Sequence, residues 1–246
     1  MKLGLIGGGF KPFTSGHFTL LATAMANSDK VILYYGLAGR KKGSGYNYSR
    51  EMSQDVFNIM KAAIERTYSG RVFVELGKPT PIVKIFQAIG AVKDGEDTNS
   101  ALSPAGVNPE QVETISVFSG PEDLDKYTKY FGTEKEERYF GNLNQTGRLS
   151  FVPVESADGE GDLSAILDIV RDSYPELSDE EMTDRVKMRG SVFRSLIASR
   201  DGAKISQYLP PFLTDEEKAK IVEILFQGLT ENVFRSYVHQ ILKSNR

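Results

Sequence analysis

The 246-residue chain has no cysteine and only two histidines, His17 and His239. The first absence removes disulfides, thiolate metal sites and cysteine nucleophiles together. The second leaves too few imidazoles for a histidine-rich metal centre. No apolar run approaches the ~20 residues needed to cross a bilayer, and the start lacks the apolar stretch of a signal peptide. A cytoplasmic protein without a membrane partner is therefore expected. Neither sign of charge is in large excess: the formal net charge is -3, so bulk electrostatics favours neither nucleic acid nor an anionic membrane. Internal repeats and low-complexity tracts are missing as well.

The hydrophobic fraction of 40% suffices for a sizeable core. Strand and helix patterns alternate through the first two thirds of the chain. Strands are expected at about Lys2 to Ile6, Lys30 to Tyr35, Arg71 to Leu76, Thr114 to Phe118 and Leu149 to Val154. Between them, apolar residues at helical spacing predict helices over about His17 to Asn27, Ser49 to Tyr68 and Pro81 to Ile89, with another opening after Gly120-Pro121. This order argues for an α/β fold, a Rossmann-like doubly wound parallel sheet. Lys93 to Glu110 is polar and Gly-, Asp- and Asn-rich, and is predicted to be a surface loop. Gly132 to Arg148, also polar, is expected to cap a sheet edge. After Val154 the pattern becomes helical, with capping boxes at Ser178-x-x-Glu181 and Thr214-x-x-Glu217 and a break at Pro210-Pro211. The expected division is a Rossmann-like domain over 1–200 and a helical C-terminal extension over 201–246. The apolar faces of the last two helices suit either core packing or a homo-oligomer interface.

The chemistry concentrates in the first seventeen residues. An apolar strand runs into Gly7, Gly8 and Gly9, then Phe10, Lys11, Pro12 and Phe13, and Thr14-Ser15-Gly16-His17 opens a helix. A strand feeding a Gly-rich turn and a helix start is a ready anion site, because glycine admits close approach and first-turn N–H groups point outward. A dinucleotide fingerprint does not fit. It requires a third glycine near position 12, where Pro12 stands, and an acidic residue ending strand 2, where Tyr34, Tyr35 and Gly36 stand.

Gly9 to His17 resembles the first motif of the nucleotidylyltransferase superfamily, with its (H/T)xGH core, here Thr14-x-Gly16-His17. That superfamily includes cytidylyltransferases, phosphopantetheine adenylyltransferase and nicotinamide mononucleotide adenylyltransferases. Arg189-Gly190-Ser191-Val192-Phe193-Arg194 resembles its second motif, [ST]-x-x-R, through Ser191 and Arg194. Gly120-Pro121-Glu122-Asp123-Leu124 resembles its G-x-D turn. The likeness spans roughly residues 1–200, and the RGS-x-x-R form with a helical tail is similar to bacteriophage members. It departs from the family in having Gly190 where serine is common and a longer gap between the motifs.

The resemblance implies transfer of a nucleoside monophosphate from ATP or CTP to a phosphorylated small molecule, with release of pyrophosphate, assisted by Mg2+ and without a covalent enzyme intermediate. Such transfer asks the protein for alignment and charge neutralisation. His17 and Thr14 would meet the α-phosphate, and Lys11 would lie in the phosphate turn. Gly8, Gly9, Phe10 and Gly16 would give backbone donors and room. Ser191 would serve the β- and γ-phosphates, and Arg194 the leaving pyrophosphate. Gly120 and Asp123 would border the nucleotide, although Asp123 suits a helix N-terminus equally well. Arg40, Lys41 and Lys42, after strand 2, fit either a solvated run or a contact to the acceptor phosphate. Magnesium would bridge phosphates with few protein ligands. A catalytically silent nucleotide-binding or scaffold protein of the same fold is the competing reading.

Overall fold

The computed structural model describes residues 1–10, 12–37, 48–154 and 163–227. Five parallel strands form one sheet in the order β3-β2-β1-β4-β5. They are β1 (Lys2–Gly8), β2 (Lys30–Tyr35), β3 (Val72–Leu76), β4 (Thr114–Ser119) and β5 (Leu149–Pro153). Between and after them run α1 (Ser15–Asn27), α2 (Arg50–Thr67), α3 (Pro81–Asp94), α4 (Pro121–Thr128), α5 (Lys135–Phe140), α6 (Ser164–Arg171), α7 (Asp179–Val186), α8 (Gly190–Ala198) and α9 (Gly202–Gln207). A further helical run covers 215–227. The expected α/β, doubly wound parallel sheet is what the chain adopts. Among the described residues no helix is long and apolar enough to cross a membrane.

Side chains alternate between two cores, as the strand repeat requires. Val31, Leu33 and Tyr35 of β2, Ile6 of β1 and Phe118 of β4 face one core, which α1, α2, α6, α8 and α9 complete. Leu3, Leu5, Ile32, Tyr34, Ile115 and Val117 face the other, covered by α3, α4 and α5. Ile221, Ile224 and Leu225 of the 215–227 helix join the first core, and Arg66 of α2 grips the Glu217 carboxylate with two N–H groups at 2.6 and 3.0 Å. Both predicted capping boxes form: Ser178 with Glu181, and Thr214 with Glu217.

Two stretches differ from expectation. The helix predicted to end at Ile89 continues to Asp94, because Ala91 and Val92 extend its buried face. The segment beyond it is not a surface loop. Ala101, Leu102, Ala105 and Val107 are buried under the sheet. The Asp97 carboxylate gathers the N–H groups of Ala101, Leu102 and Ser103 and the Ser103 hydroxyl at 2.7–2.8 Å. The Tyr34 hydroxyl donates to the Ala101 carbonyl at 2.8 Å. Polar residues there tie the turn from within, while its few apolar residues all point inward. The second stretch, Gly132 to Arg148, contains α5 and packs Phe140 against Phe131 and against Phe151 of β5, at 5.4 and 5.7 Å between ring centres. It covers the face of that edge strand.

Candidate functional site

The strand order reverses between β1 and β4, where the chain leaves β1 for one face and β4 for the other. Open parallel sheets bind ligands at such a switch point, beyond the carboxyl ends of the strands. A cleft of about 560 Å³ lies there. Its floor is the end of β1, Gly7 and Gly8, with Gly9 and Phe10 beyond it; one side is Ser119, Gly120 and the start of α4; the other is Met188, Arg189 and the start of α8.

Nine of the residues expected in a site share this cleft: Gly8, Gly9, Phe10, Gly16, His17, Gly120, Asp123, Ser191 and Arg194. Thr14 is buried and does not line it. Lys11, Arg40, Lys41 and Lys42 lie outside the described residues. The reading from sequence missed Leu20, Ser119, Glu122, Lys126, Val154, Met188 and Arg189, which line the cleft too. Val154 was legible only as the end of a strand. Lys126 sits one helical turn beyond Asp123, and that spacing was its only signal.

The geometry of Thr14 and His17 is a capping box with an imidazole in the place of glutamate. Thr14 is the N-cap of α1, and His17 is its third residue. The Thr14 backbone N–H donates to His17 Nδ1 at 3.0 Å, and the Thr14 hydroxyl lies 2.9 Å from the same nitrogen. Nδ1 is thereby an acceptor, so the ring proton belongs on Nε2, the nitrogen left to meet a ligand. The ring packs in a triangular cluster with Phe10, edge-on, and Phe13, with centroids 5.0 and 5.5 Å away. Burial lowers its pKa from 6.5 to about 4. At neutral pH His17 is therefore a neutral N–H donor facing the cleft, not a cation.

The start of α1 is not the bare anion cradle that its sequence suggests. The Ser15 N–H donates to the Tyr208 carbonyl at 2.8 Å, and the Ser15 hydroxyl donates to the Arg185 carbonyl at 2.8 Å. These bonds dock α1 against α7 and α9 and bring the chain that enters α8 alongside. Gly16 makes this approach possible: a Cβ there would come within 2.4 Å of the Met188 carbonyl oxygen.

The two helix starts in the cleft walls differ in charge. The first turn of α4 carries Glu122 and Asp123. The first turn of α8 carries no acid, and its N-cap is Arg189, whose side chain has no acceptor atom. A helix N-terminus carries partial positive charge and unpaired N–H groups. An anion entering the cleft is repelled by the acidic turn of α4 and attracted by α8. Arg194, on α8, adds a planar five-donor fork to the same side.

Fold and cleft together define a doubly wound α/β protein with a polar, anion-compatible site at its switch point. No protein-family model matches the chain, and no curated protein matches it.

Proposed function

We propose that the protein is a nucleotidylyltransferase that moves a nucleoside monophosphate from ATP or CTP to a phosphorylated small molecule. An acceptor phosphate oxygen attacks the α-phosphorus, the bond from that phosphorus to the α,β-bridging oxygen breaks, and pyrophosphate leaves. The observation that carries this reading is the convergence of His17 with Ser191 and Arg194 on one cleft. These residues come from distant parts of the chain and belong to the two motifs that resemble the nucleotidylyltransferase superfamily.

In this reading the neutral His17 donates Nε2–H to a non-bridging α-phosphate oxygen, where charge grows in the transition state. Thr14 holds the imidazole tautomer and orientation. The first turn of α8, Ser191 and Arg194 receive the β- and γ-phosphates. Gly8, Gly9, Phe10, Gly16, Gly120 and Asp123 border the nucleotide. Arg40, Lys41 and Lys42 remain the proposed acceptor contacts on sequence grounds. Among the described residues no three acidic or histidine side chains gather to hold a resident metal. Mg2+ would be delivered with the triphosphate and would screen its charge, and Glu122 and Asp123 are the carboxylates of the cleft lining that would be available to it.

The test is pyrophosphate release from ATP and from CTP over a panel of phosphorylated acceptors. One pairing should turn over, and His17→Ala should lower its kcat about a hundredfold or more, the scale for losing one preorganised donor. Binding of the nucleotide should change much less. Nucleotide binding with no pyrophosphate release from any pairing would favour the silent nucleotide-binding protein instead.

A further inference from the structure

Lys126 lines the cleft from the wall opposite α8, and the transfer step as proposed gives it no role. It is the only cation that α4 contributes to that wall among the described residues, and it stands one turn after Asp123, to whose carboxylate its Nζ is paired. Both side chains are about half exposed, at 51% each. A pair of this kind on a helix surface holds by no more than about fivefold in an equilibrium constant. A polyphosphate offers the same ammonium several charged oxygens at once, and a lysine reorients on its flexible stem without disturbing the helix.

Resting on the nucleotidyl-transfer reading, we propose that Lys126 is a leaving-group contact. On nucleotide binding it exchanges Asp123 for oxygens of the β- and γ-phosphates. The pyrophosphate moiety is then held from both walls, by Ser191 and Arg194 on α8 and by Lys126 on α4. Asp123 is an internal competitor that lowers the resting affinity of the cleft for polyphosphate. The device favours a nucleoside triphosphate over a monophosphate, because a monophosphate has no oxygens that reach beyond the α position. It also opposes tight retention of pyrophosphate, since Asp123 reclaims the lysine as the product leaves.

Inorganic pyrophosphate, titrated calorimetrically at low ionic strength without divalent cations, isolates this contact, for it carries no ribose, base or acceptor. Lys126→Ala should weaken its binding about tenfold, the scale of a lost charge-assisted contact. Asp123→Asn should tighten it two- to fivefold by releasing the lysine, an effect that a damaged fold cannot produce. In the double variant the tightening should shrink to the part that comes from removing a carboxylate beside the anion, because the competitor then has nothing to compete for; the same tightening with and without Lys126 would overturn the exchange. Affinity for a nucleoside monophosphate should be the same in wild type and Lys126→Ala. Undetectable pyrophosphate binding by the wild type, an unchanged affinity in Lys126→Ala, or weaker binding in Asp123→Asn would each overturn the assignment. The two readings fail separately. The expected pyrophosphate pattern without turnover of any NTP removes the reaction and leaves the contact. Turnover with wild-type pyrophosphate affinity in Lys126→Ala removes the contact and leaves the reaction.

Discussion

Replacing Gly16 with alanine sets two physical effects against each other. Gly16 is the second residue of α1, and helix propensity alone favours alanine over glycine by up to about 1 kcal/mol. The new Cβ would, however, lie 2.4 Å from the Met188 carbonyl oxygen and 3.3 Å from that of Val186. Both obstacles are backbone atoms, so no rotamer change relieves them. The α1 start and the 186–188 segment must separate by about 1 Å to reach ordinary van der Waals contact. The Ser15 bonds to Arg185 and Tyr208 lie across the same junction and would stretch. Overpacking costs ~1–3 kcal/mol, and a backbone clash belongs at the upper end. A net destabilisation of about 2 kcal/mol remains once the propensity gain is subtracted. Gly90 is the matched control. It lies within α3, and an added Cβ meets no atom within 4 Å. There Gly→Ala should stabilise by ~0.5–1 kcal/mol. Urea denaturation of both variants reads the two signs directly. Gly16→Ala as stable as wild type, or stabilised like Gly90→Ala, would refute the close approach of α1 to the entry of α8. If the proposed transfer holds, Gly16→Ala should also lower pyrophosphate release, because the displaced segment leads into α8, which carries Ser191 and Arg194 into the cleft.

Two further outcomes rest on the charges around the cleft. His17 is expected to make the protein acid-sensitive above the carboxylate range: its pKa drops from 6.5 to about 4 on folding through burial, so between those values the unfolded chain binds a proton that the folded one refuses. This contribution is complete above pH 6.5 and is lost as the pH falls towards 4, by up to about 3 kcal/mol. Thermal melts at pH 7 and pH 4.5 should differ more for the wild type than for His17→Gln, and equal differences would discard the account of the ring. Arg194→Lys keeps the charge and loses the fork, so its affinity for pyrophosphate should fall about tenfold, close to that of Arg194→Ala. Lysine restoring wild-type binding would show that a point charge is enough there.

What could be seen in the sequence was local. The β2 run from Lys30 to Tyr35 reads as a strand because its apolar residues are continuous and it is buried on both faces. The Ser178 and Thr214 boxes read as helix starts because acceptor and donor are three residues apart. The stretch after α3 misled for a physical reason. Its composition is that of a loop, yet Asp97 satisfies the turn from inside, and Leu102 and Val107 are buried in the core that α3 covers. Composition reports average polarity, whereas burial depends on which few residues point inward. The α1 start misled differently. First-turn N–H groups are free in an isolated helix, but the partner that takes the Ser15 N–H, the Tyr208 carbonyl, lies almost two hundred residues away.

The Thr14-to-His17 segment shows why a site motif is legible as spacing before its division of labour is. Thr14 and Ser15 are buried, and Gly16 and His17 line the cleft. Reading all four as ligand contacts would assign Thr14 to the phosphate, yet its N–H and hydroxyl both lie at His17 Nδ1. Ser15 ties α1 to the Arg185 and Tyr208 carbonyls. Gly16 is a liability by helix propensity and is required by the Met188 carbonyl. One side chain of the four is left to meet a ligand, and the other three determine how it does so. Thr14 selects the tautomer, Ser15 anchors the helix start, and Gly16 clears the path for α8. A substitution at Thr14 or Ser15, both buried, should therefore change how His17 is presented to the cleft without removing a cleft-lining group, whereas one at Gly16 also moves the cleft wall.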